Sequence, residues 1–373
     1  MNKIKEYFKP TKETIEIFKA VASNDKTKSL QAQEAIASVI GPVIEQVLPI
    51  LASSAQIFTD FRYDPATNPT LPLDMFEDAG INTVRIWSQA TPGGAPSSEV
   101  KPVGDYKFDS YRLLSAVSAK KKTARDGQVD MLAKMVERMT QEILRDQELN
   151  RWAVLLKAAA EATLSNGDSQ LIAATAAGVL QLDDFNRLKT AITRLHDSWT
   201  GGTPATIGRK GLTDLYLSPE MMEQIRGFAY QPMNTRGVPD SAESTALGLP
   251  DAVRTEIYRS AGAPSIFGVT LHELLEFGVA KAYTVLFDTY YTGTSPTTFA
   301  NATEELVLGL DLSVDAFIRP VASEVQDELD VASTVQTLVD DQWIARDEKF
   351  GFYTKIEEGA VVLDKKATYG LKV

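Results

Sequence analysis

The chain contains no cysteine. Disulfides and thiolate metal sites are therefore excluded, and a reducing site of synthesis fits. Only two histidines are present, His196 and His272. There is no excess of basic charge: 38 Lys and Arg stand against 50 Asp and Glu, a formal net charge of −12. That balance argues against a basic nucleic-acid clamp while leaving room for local basic patches. No apolar run is clean enough to read as a membrane span. The best candidate, AIASVIGPVIEQVLPILA at 35–52, is interrupted by Glu45, Gln46, Pro42 and Pro49. It reads as a buried or partner-packed helix. The opening MNKIKEYFKPTKETIEIFKA is charged throughout and lacks the apolar centre of a signal peptide, so the expectation is a soluble intracellular product. No internal repeat and no low-complexity segment is visible.

What is present is enough for a folded protein. The chain has 373 residues, 44% of them hydrophobic and 24% charged, which suits a sizeable core and more than one domain. Residues 11–61 lean helical, with Ile15, Phe18 and Val21 on one face and a restart after Asn24-Asp25. Residues 62–79, with three prolines, read as an extended arm. Thr83–Trp87 and Tyr106–Tyr111 are strand-like and flank the loop composition of Pro92–Ser98. Two long antiparallel strands with a loose tip are the simplest reading of 81–123. Such a ribbon is marginal alone in water and needs a surface to lie on.

The strongest helical signal covers 127–164. Leu132, Met135, Met139 and Ile143 recur at spacings of three and four, and Leu149, Trp152 and Leu156 continue the stripe. Leu182–Trp199 predicts a helix with Phe185, Leu188, Ile192 and Leu195 on one face. LTDLYLSPEMMEQIRGF at 212–228 predicts strand into helix, with Ser218 as N-cap and Pro219 at the first helical position. Residues 231–264 have loop composition. Ile266–Val269, Ala282–Phe287 and Leu306–Asp311 read as strands, and Val325–Asp340 as a linker or helix. At the end, Phe350, Phe352 and Ile356 alternate with Lys349 and Lys355. A turn at Glu357-Glu358-Gly359, with Gly at positive φ, leads to Ala360–Leu363 and then to Tyr369, Leu371 and Val373. Strand pattern thus runs to the last residue, which marks a structural end and not a frayed tail.

Chemistry is harder to find. His272-Glu273-Leu274-Leu275-Glu276 approaches the zinc-protease pattern, but Glu276 stands where the second histidine belongs. His196 sits near a helix C-terminus, where a dipole partner or core-edge role is the simpler reading. Gly201–Lys210 glances at a phosphate loop, but Arg209 follows Gly208 and no hydroxyl follows Lys210. Lys120-Lys121-Lys122 with Arg125 is the densest basic run and reads as a solvated junction. Asp183-Asp184 and Glu304-Glu305 fit helix starts and loops. Asn301-Ala302-Thr303 matches the glycosylation sequon without a secretory context. No catalytic residue, cofactor or metal is expected, and no enzyme.

The order of these pieces resembles the major capsid proteins of tailed bacteriophages, the Hong Kong 97-type fold. The ribbon at 81–123 is similar to that family's extended loop, and 127–164, with DQELNRWAVLLKAAAEA, to its spine helix. DLYLSPEMMEQI at 214–225 looks like the axial strand followed by Ser-Pro and a helix. SIFGVTLHE at 265–273 looks like the strand with an aromatic-Gly-Val step, and FGFYTKIEEGAVVLDKKATYGLKV like the closing hairpin and last strand. The resemblance covers roughly 75–373 and implies an α+β fold. Its parts would be a helical region and arm at 1–80, an extended loop at 81–123, and the spine helix with the first peripheral part at 124–181. An axial domain would follow at 182–300, the rest of the peripheral domain at 301–366, and a strand returning to the axial domain at 367–373.

The same resemblance implies function. The chain would assemble with itself into hexamers and pentamers of an icosahedral shell around double-stranded DNA, in the virion and, before that, in the bacterial cytoplasm. Scaffolding, portal and decoration proteins would be partners, and no membrane. Arg85, Trp87, Lys101, Tyr106, Phe108 and Tyr111 would lie at subunit interfaces. Lys101 is the only plausible cross-link donor, no acceptor asparagine stands out, and cross-linking is not expected. An encapsulin shell around enzyme cargo is the nearest alternative. A soluble metal-dependent hydrolase using His272 and Glu273 is the second.

Overall fold

A computed structural model describes residues 11–23, 25–64, 70–72, 105–164, 167–195, 211–230, 265–291, 298–313, 315–326, 331–339 and 348–373. The architecture is α+β, in two compact units. Unit 1 takes Met1–Ala55, Asp60–Gln147 and Arg319–Ala360. Unit 2 takes Gln56–Thr59, Glu148–Ile318 and Val361–Val373.

Along the chain come α1 (Lys12–Val21), α2 (Lys26–Leu51), β1 (Thr59–Tyr63), β2 (Thr70–Pro72), β3 (Asp105–Lys107), β4 (Tyr111–Lys120), α3 (Lys121–Arg125) and α4 (Val129–Glu161). After them come β5 (Leu171–Ala173), α5 (Leu182–Leu195), β6 (Asp214–Leu217), α6 (Pro219–Tyr230), β7 (Ser265–Ile266), β8 (Val269–Glu273), α7 (Ala282–Tyr290) and β9 (Leu306–Leu310). The last run is β10 (Phe317–Ala322), β11 (Glu324–Gln326), β12 (Val331–Ser333), β13 (Gln336–Val339), β14 (Lys349–Glu358), β15 (Val361–Val362) and β16 (Thr368–Lys372).

In unit 1 the helical N-terminal region starts at two caps. The Thr11 hydroxyl accepts from the Thr14 amide, and the Asp25 carboxylate accepts from the Thr27 amide, so the restart after Asn24-Asp25 is real. By length and composition α2 could cross a membrane. However, its Ile36, Ile40, Val43, Ile44 and Val47 face is core, packed with Phe18, Leu132, Val136, Phe350 and Phe352. Gly41 permits this approach: a Cβ there would lie 2.8 Å from the Val335 carbonyl oxygen. The unit's sheet is built on β14. It pairs antiparallel with β4 along all of Tyr111–Lys120 and, on its other side, with β13 and, at Glu358, with β10. Phe350, Phe352 and Ile356 are buried, as the alternation predicts.

Unit 2 is organised by a second sheet in the order β5-β16-β9-β6-β8-β7. Its core takes Phe185, Leu188 and Ile192 from α5 and Met221, Met222 and Ile225 from α6. Ser218 caps α6, accepting from the Met221 amide at 3.1 Å while donating to Glu305 at 2.6 Å. Asp184, fully buried at the start of α5, accepts from the Thr175 and Gln181 amides and the Thr175 hydroxyl. β16 lies between β5 and β9, and Thr368, Tyr369 and Leu371 are all buried. The last residue is held too: Val373 and Glu305 exchange backbone hydrogen bonds of 3.0 and 2.9 Å.

Several expectations are corrected. Tyr106 and Tyr111 do not belong to one strand. Tyr106 in β3 pairs with Leu71 of β2, while β4 pairs with β14; the partner expected at 83–87 lies outside the described residues. Ala282–Phe287 is helix, because Tyr283, Thr284 and Phe287 bury one helical face despite their strand-favouring side chains. The described part of the stretch read as linker or helix is strand: β11, β12 and β13. Leu149 leaves the apolar stripe of α4 and is 44% exposed. Gly359 is absent from the residues with positive φ. It is needed for closeness instead, since a Cβ would meet the Asp109 carbonyl oxygen at 2.8 Å. Positive φ occurs at Phe267 and Gly268, the two-residue turn between β7 and β8.

Candidate functional site

The hydrolase reading is answered by geometry in unit 2. His272 and Glu273 lie on a strand, not a helix, so neighbouring side chains leave on opposite faces. His272 Nε2 is 2.8 Å from Asp214 Oδ1, and its ring stacks on Tyr216 with centroids 4.6 Å apart. Glu273 pairs with Arg226 at 3.0 Å. The two residues therefore have separate partners and cannot close on one ion. Among the described residues no group of three or more His, Asp or Glu side chains could hold a metal. His196 and Gly201–Lys210 lie outside the described residues.

Beside His272 stands an aromatic cluster around fully buried Trp152. Trp152 stacks on Tyr283 at 5.0 Å, meets Tyr216 and Phe277 edge-on, and donates its indole N–H to Glu148. Burial pushes the Tyr216 and Tyr283 hydroxyls well above the ordinary tyrosine value. Nearby carboxylates add to this, Asp214 and Glu148 for Tyr216, Glu148 and Glu276 for Tyr283. Both phenols stay protonated at neutral pH and act as packing.

In unit 1, two members of the expected interface set, Phe108 and Tyr111, lie just before and at the start of β4. Arg85, Trp87 and Lys101 lie outside the described residues. Tyr106 is in β3. Phe108 is buried against Phe61, with ring centroids 5.9 Å apart. The Tyr111 hydroxyl donates to Glu358 Oε1 at 3.1 Å.

Sequence reasoning missed what those residues meet. Glu357 and Glu358, read as a turn, are strand residues that anchor the foot of β4. Glu358, with no exposed surface, also accepts from Gln147 at 3.1 Å and from Arg319 Nε at 3.0 Å. Arg319 reaches on to Asp60 at 3.1 Å. Glu357, its side chain on the other face, accepts from Arg112 Nε at 2.8 Å and from Ser110 at 3.0 Å. Burial alone would raise the Glu357 pKa. The hydrogen bonds from Arg112 and Ser110, with the charges of Arg112 and Lys355, outweigh that and hold it below the ordinary value. The available signal was Arg319, a cation in an otherwise apolar strand pattern, which demands a buried carboxylate.

The exposed face of the unit is different in kind. β4 alternates half-buried and exposed residues along its length, and Leu114 is 69% exposed. Lys120, Lys122 and Arg125 are exposed at the strand's end.

No family description matches the sequence, and no curated protein does. Solved structures do. The capsid of a native GTA particle is similar over 86% of this chain and 89% of its own, at 12% identity and a TM-score of 0.47. The capsid of cyanophage P-SCSP1u is similar over 84% of this chain and 86% of its own, at 13% identity and a TM-score of 0.48. The holo-SrpI encapsulin complex from Synechococcus elongatus is similar over 85% of each chain, at 12% identity and a TM-score of 0.41. What this chain is similar to, in these structures, is a capsid twice and an encapsulin once.

Proposed function

We propose that this chain is the major capsid protein of a tailed bacteriophage, a structural subunit that builds a closed shell from many copies of itself. One observation carries the reading. Among the described residues, elements of the resemblance occur in its order: a long strand, β4, followed by a 33-residue helix, α4, then strand-Ser-Pro-helix at β6 and α6, then end strands serving one sheet each. The hydrolase alternative loses its basis, since His272 is held by Asp214 and Tyr216.

In this reading copies form hexameric and pentameric rings by head-to-tail contacts that close. Residues 81–123 lie across a neighbour, with Arg85, Trp87, Lys101, Tyr106, Phe108 and Tyr111 in or beside that contact. Obligate interfaces of this kind bury about 2,000 Å² or more. Double-stranded DNA is enclosed against the inner face, and net acidity suits a wall that confines DNA without gripping it. A scaffolding protein, a portal and decoration proteins complete the partners, and assembly takes place in the bacterial cytoplasm.

Size-exclusion chromatography and negative-stain microscopy of the expressed chain test this. Closed particles, rings or tubes are expected. A chain that remains monomer or dimer, with its scaffold present, overturns the reading. Sequencing the nucleic acid inside purified particles separates a genome-filled capsid from an encapsulin, whose particles would hold protein cargo instead.

A further inference from the structure

Two elements bring cations to one corner of unit 1. Lys120 ends β4, and Lys121, Lys122 and Arg125 follow on α3. Lys19, in the last turn of α1, joins them across Gly127. A Cβ at Gly127 would lie 3.0 Å from Lys19 Cε and 4.0 Å from its Nζ, and the backbone there has φ +68°, which glycine adopts at little cost. Lys19, Lys120, Lys122 and Arg125 are exposed, and Lys121 is half-buried. Among the described residues none of these side chains makes an ion pair, whereas Arg112, Arg226, Arg319 and Lys372 each meet a carboxylate.

Carboxylates are at hand and leave these charges unanswered. Glu16, Asp126, Asp130 and Glu348 are neighbours in the chain or across the strand end, and none pairs with the five. Asp130 serves the first turn of α4 instead. The stretch 120–125, KKKTAR, holds four cations and no acid in a chain whose net charge is −12. Like charges held this close repel, and an anion from outside removes that cost. We infer that this corner binds the phosphate backbone of double-stranded DNA, as a weak contact blind to sequence.

The kind of cation favours phosphate over a protein partner. Four of the five are lysines, point charges that suit a row of phosphates, while protein carboxylates are best met by the planar fork of arginine. Lysine is also depleted in protein–protein interfaces. Contacts to phosphate position a duplex and carry no sequence information. A few of them are weakened strongly by modest salt, which fits an acidic wall that touches DNA without gripping it. The inference rests on the shell reading for the source of the DNA, and it names the corner of unit 1 that faces the packaged duplex.

The test is the salt dependence of DNA binding by the full chain, read by fluorescence anisotropy of a labelled mixed-sequence duplex. Each phosphate contact adds about 0.9 to the slope of log affinity against log salt. Changing Lys120, Lys121 and Lys122 to Gln should lower the slope by roughly 2 to 3 and weaken binding at low salt about tenfold or more. Arg125→Gln alone should lower it by about 1, which keeps the inference testable if the triple variant fails to fold in a thermal melt. Changing Arg194, Lys281 and Lys365 to Gln removes the same charge from exposed positions of unit 2 and should leave the slope unchanged. An unaltered chain that does not bind the duplex at low salt overturns the inference, as does an equal loss of slope in the unit 2 variant. So does polyglutamate that binds the unaltered chain more tightly than the duplex and loses that advantage in the triple variant, which would assign the corner to an acidic protein. These outcomes leave the shell reading standing, because particle formation is read separately by microscopy. A chain that binds the duplex through this corner but never forms particles overturns the shell reading and leaves the corner a DNA site.

Discussion

The two units each complete a sheet with a strand from the end of the chain, and they use it differently. β14 in unit 1 buries one face and leaves the other half-buried, and it lies beside β4, whose residues alternate between half-buried and exposed. β16 in unit 2 has a strand on each side and is buried on both faces. Unit 1 ties its strand ends with charge, through Glu357, Glu358, Arg112 and Arg319. Unit 2 ties its own mainly with packing, around Trp152 and the α5 and α6 faces. The first arrangement leaves side chains of one sheet face partly in solvent, while the second takes its strand into the core on both faces.

The largest way to break this contrast is to delete Tyr369–Val373. β5 and β9 would lose the strand between them, and unit 2 should lose its cooperative fold. Hydrogen exchange should show β6, β8 and β9 unprotected while β4 and β14 stay protected; equal loss in both units would show that they fold as one. Phe352→Ala is the mirror test. It should cost unit 1 about 3–5 kcal/mol, seen as an earlier unfolding transition, with unit 2 little changed. Arg319→Leu leaves Glu358 buried with its hydrogen-bonded cation gone. It should cost about 3 kcal/mol at neutral pH, and adding Glu358→Gln to it should recover part of that in denaturant titrations.

A smaller effect is set by pH. Glu357 has its folded pKa below the ordinary 4.5. Its stabilising contribution is therefore complete above that value and fades as pH falls below it towards the folded pKa. Unit 1 should lose stability in that acid range, and Glu357→Gln should flatten the dependence. The smallest expected effect is that of His272→Ala. The residue is part-exposed and bonded to one carboxylate, so the change should cost roughly 1 kcal/mol or less and leave assembly intact. Loss of a hydrolytic activity in this variant would revive the enzyme reading.

How much of this was legible depends on what holds each element. α1, α2, α4, α5 and the β6–α6 junction could be read because their signals are local: the restart after Asn24-Asp25, the cap at Ser218, and apolar stripes at helical period. β14 could be read because one buried face imposes alternation. α7 could not, since its strand-favouring residues fold as helix for the sake of packing Tyr283 and Phe287. β11–β13 could not, because short strands carry little period. The candidate contacts were least legible. That β4 lies on β14 is a pairing over more than two hundred residues, and no local pattern encodes it.

By itself the sequence determined the long helices, the β6–α6 junction and the alternating end strand, that the last residues are structural, and that no thiol chemistry exists. It could do so because side-chain periodicity and capping act within a few residues. Only the tertiary structure decided that β14 and β16 serve different sheets, that Glu357 and Glu358 anchor β4, and that His272 belongs to Asp214 and Tyr216. Those outcomes depend on which distant strands meet, and partner choice is settled by the burial of whole faces and charges together.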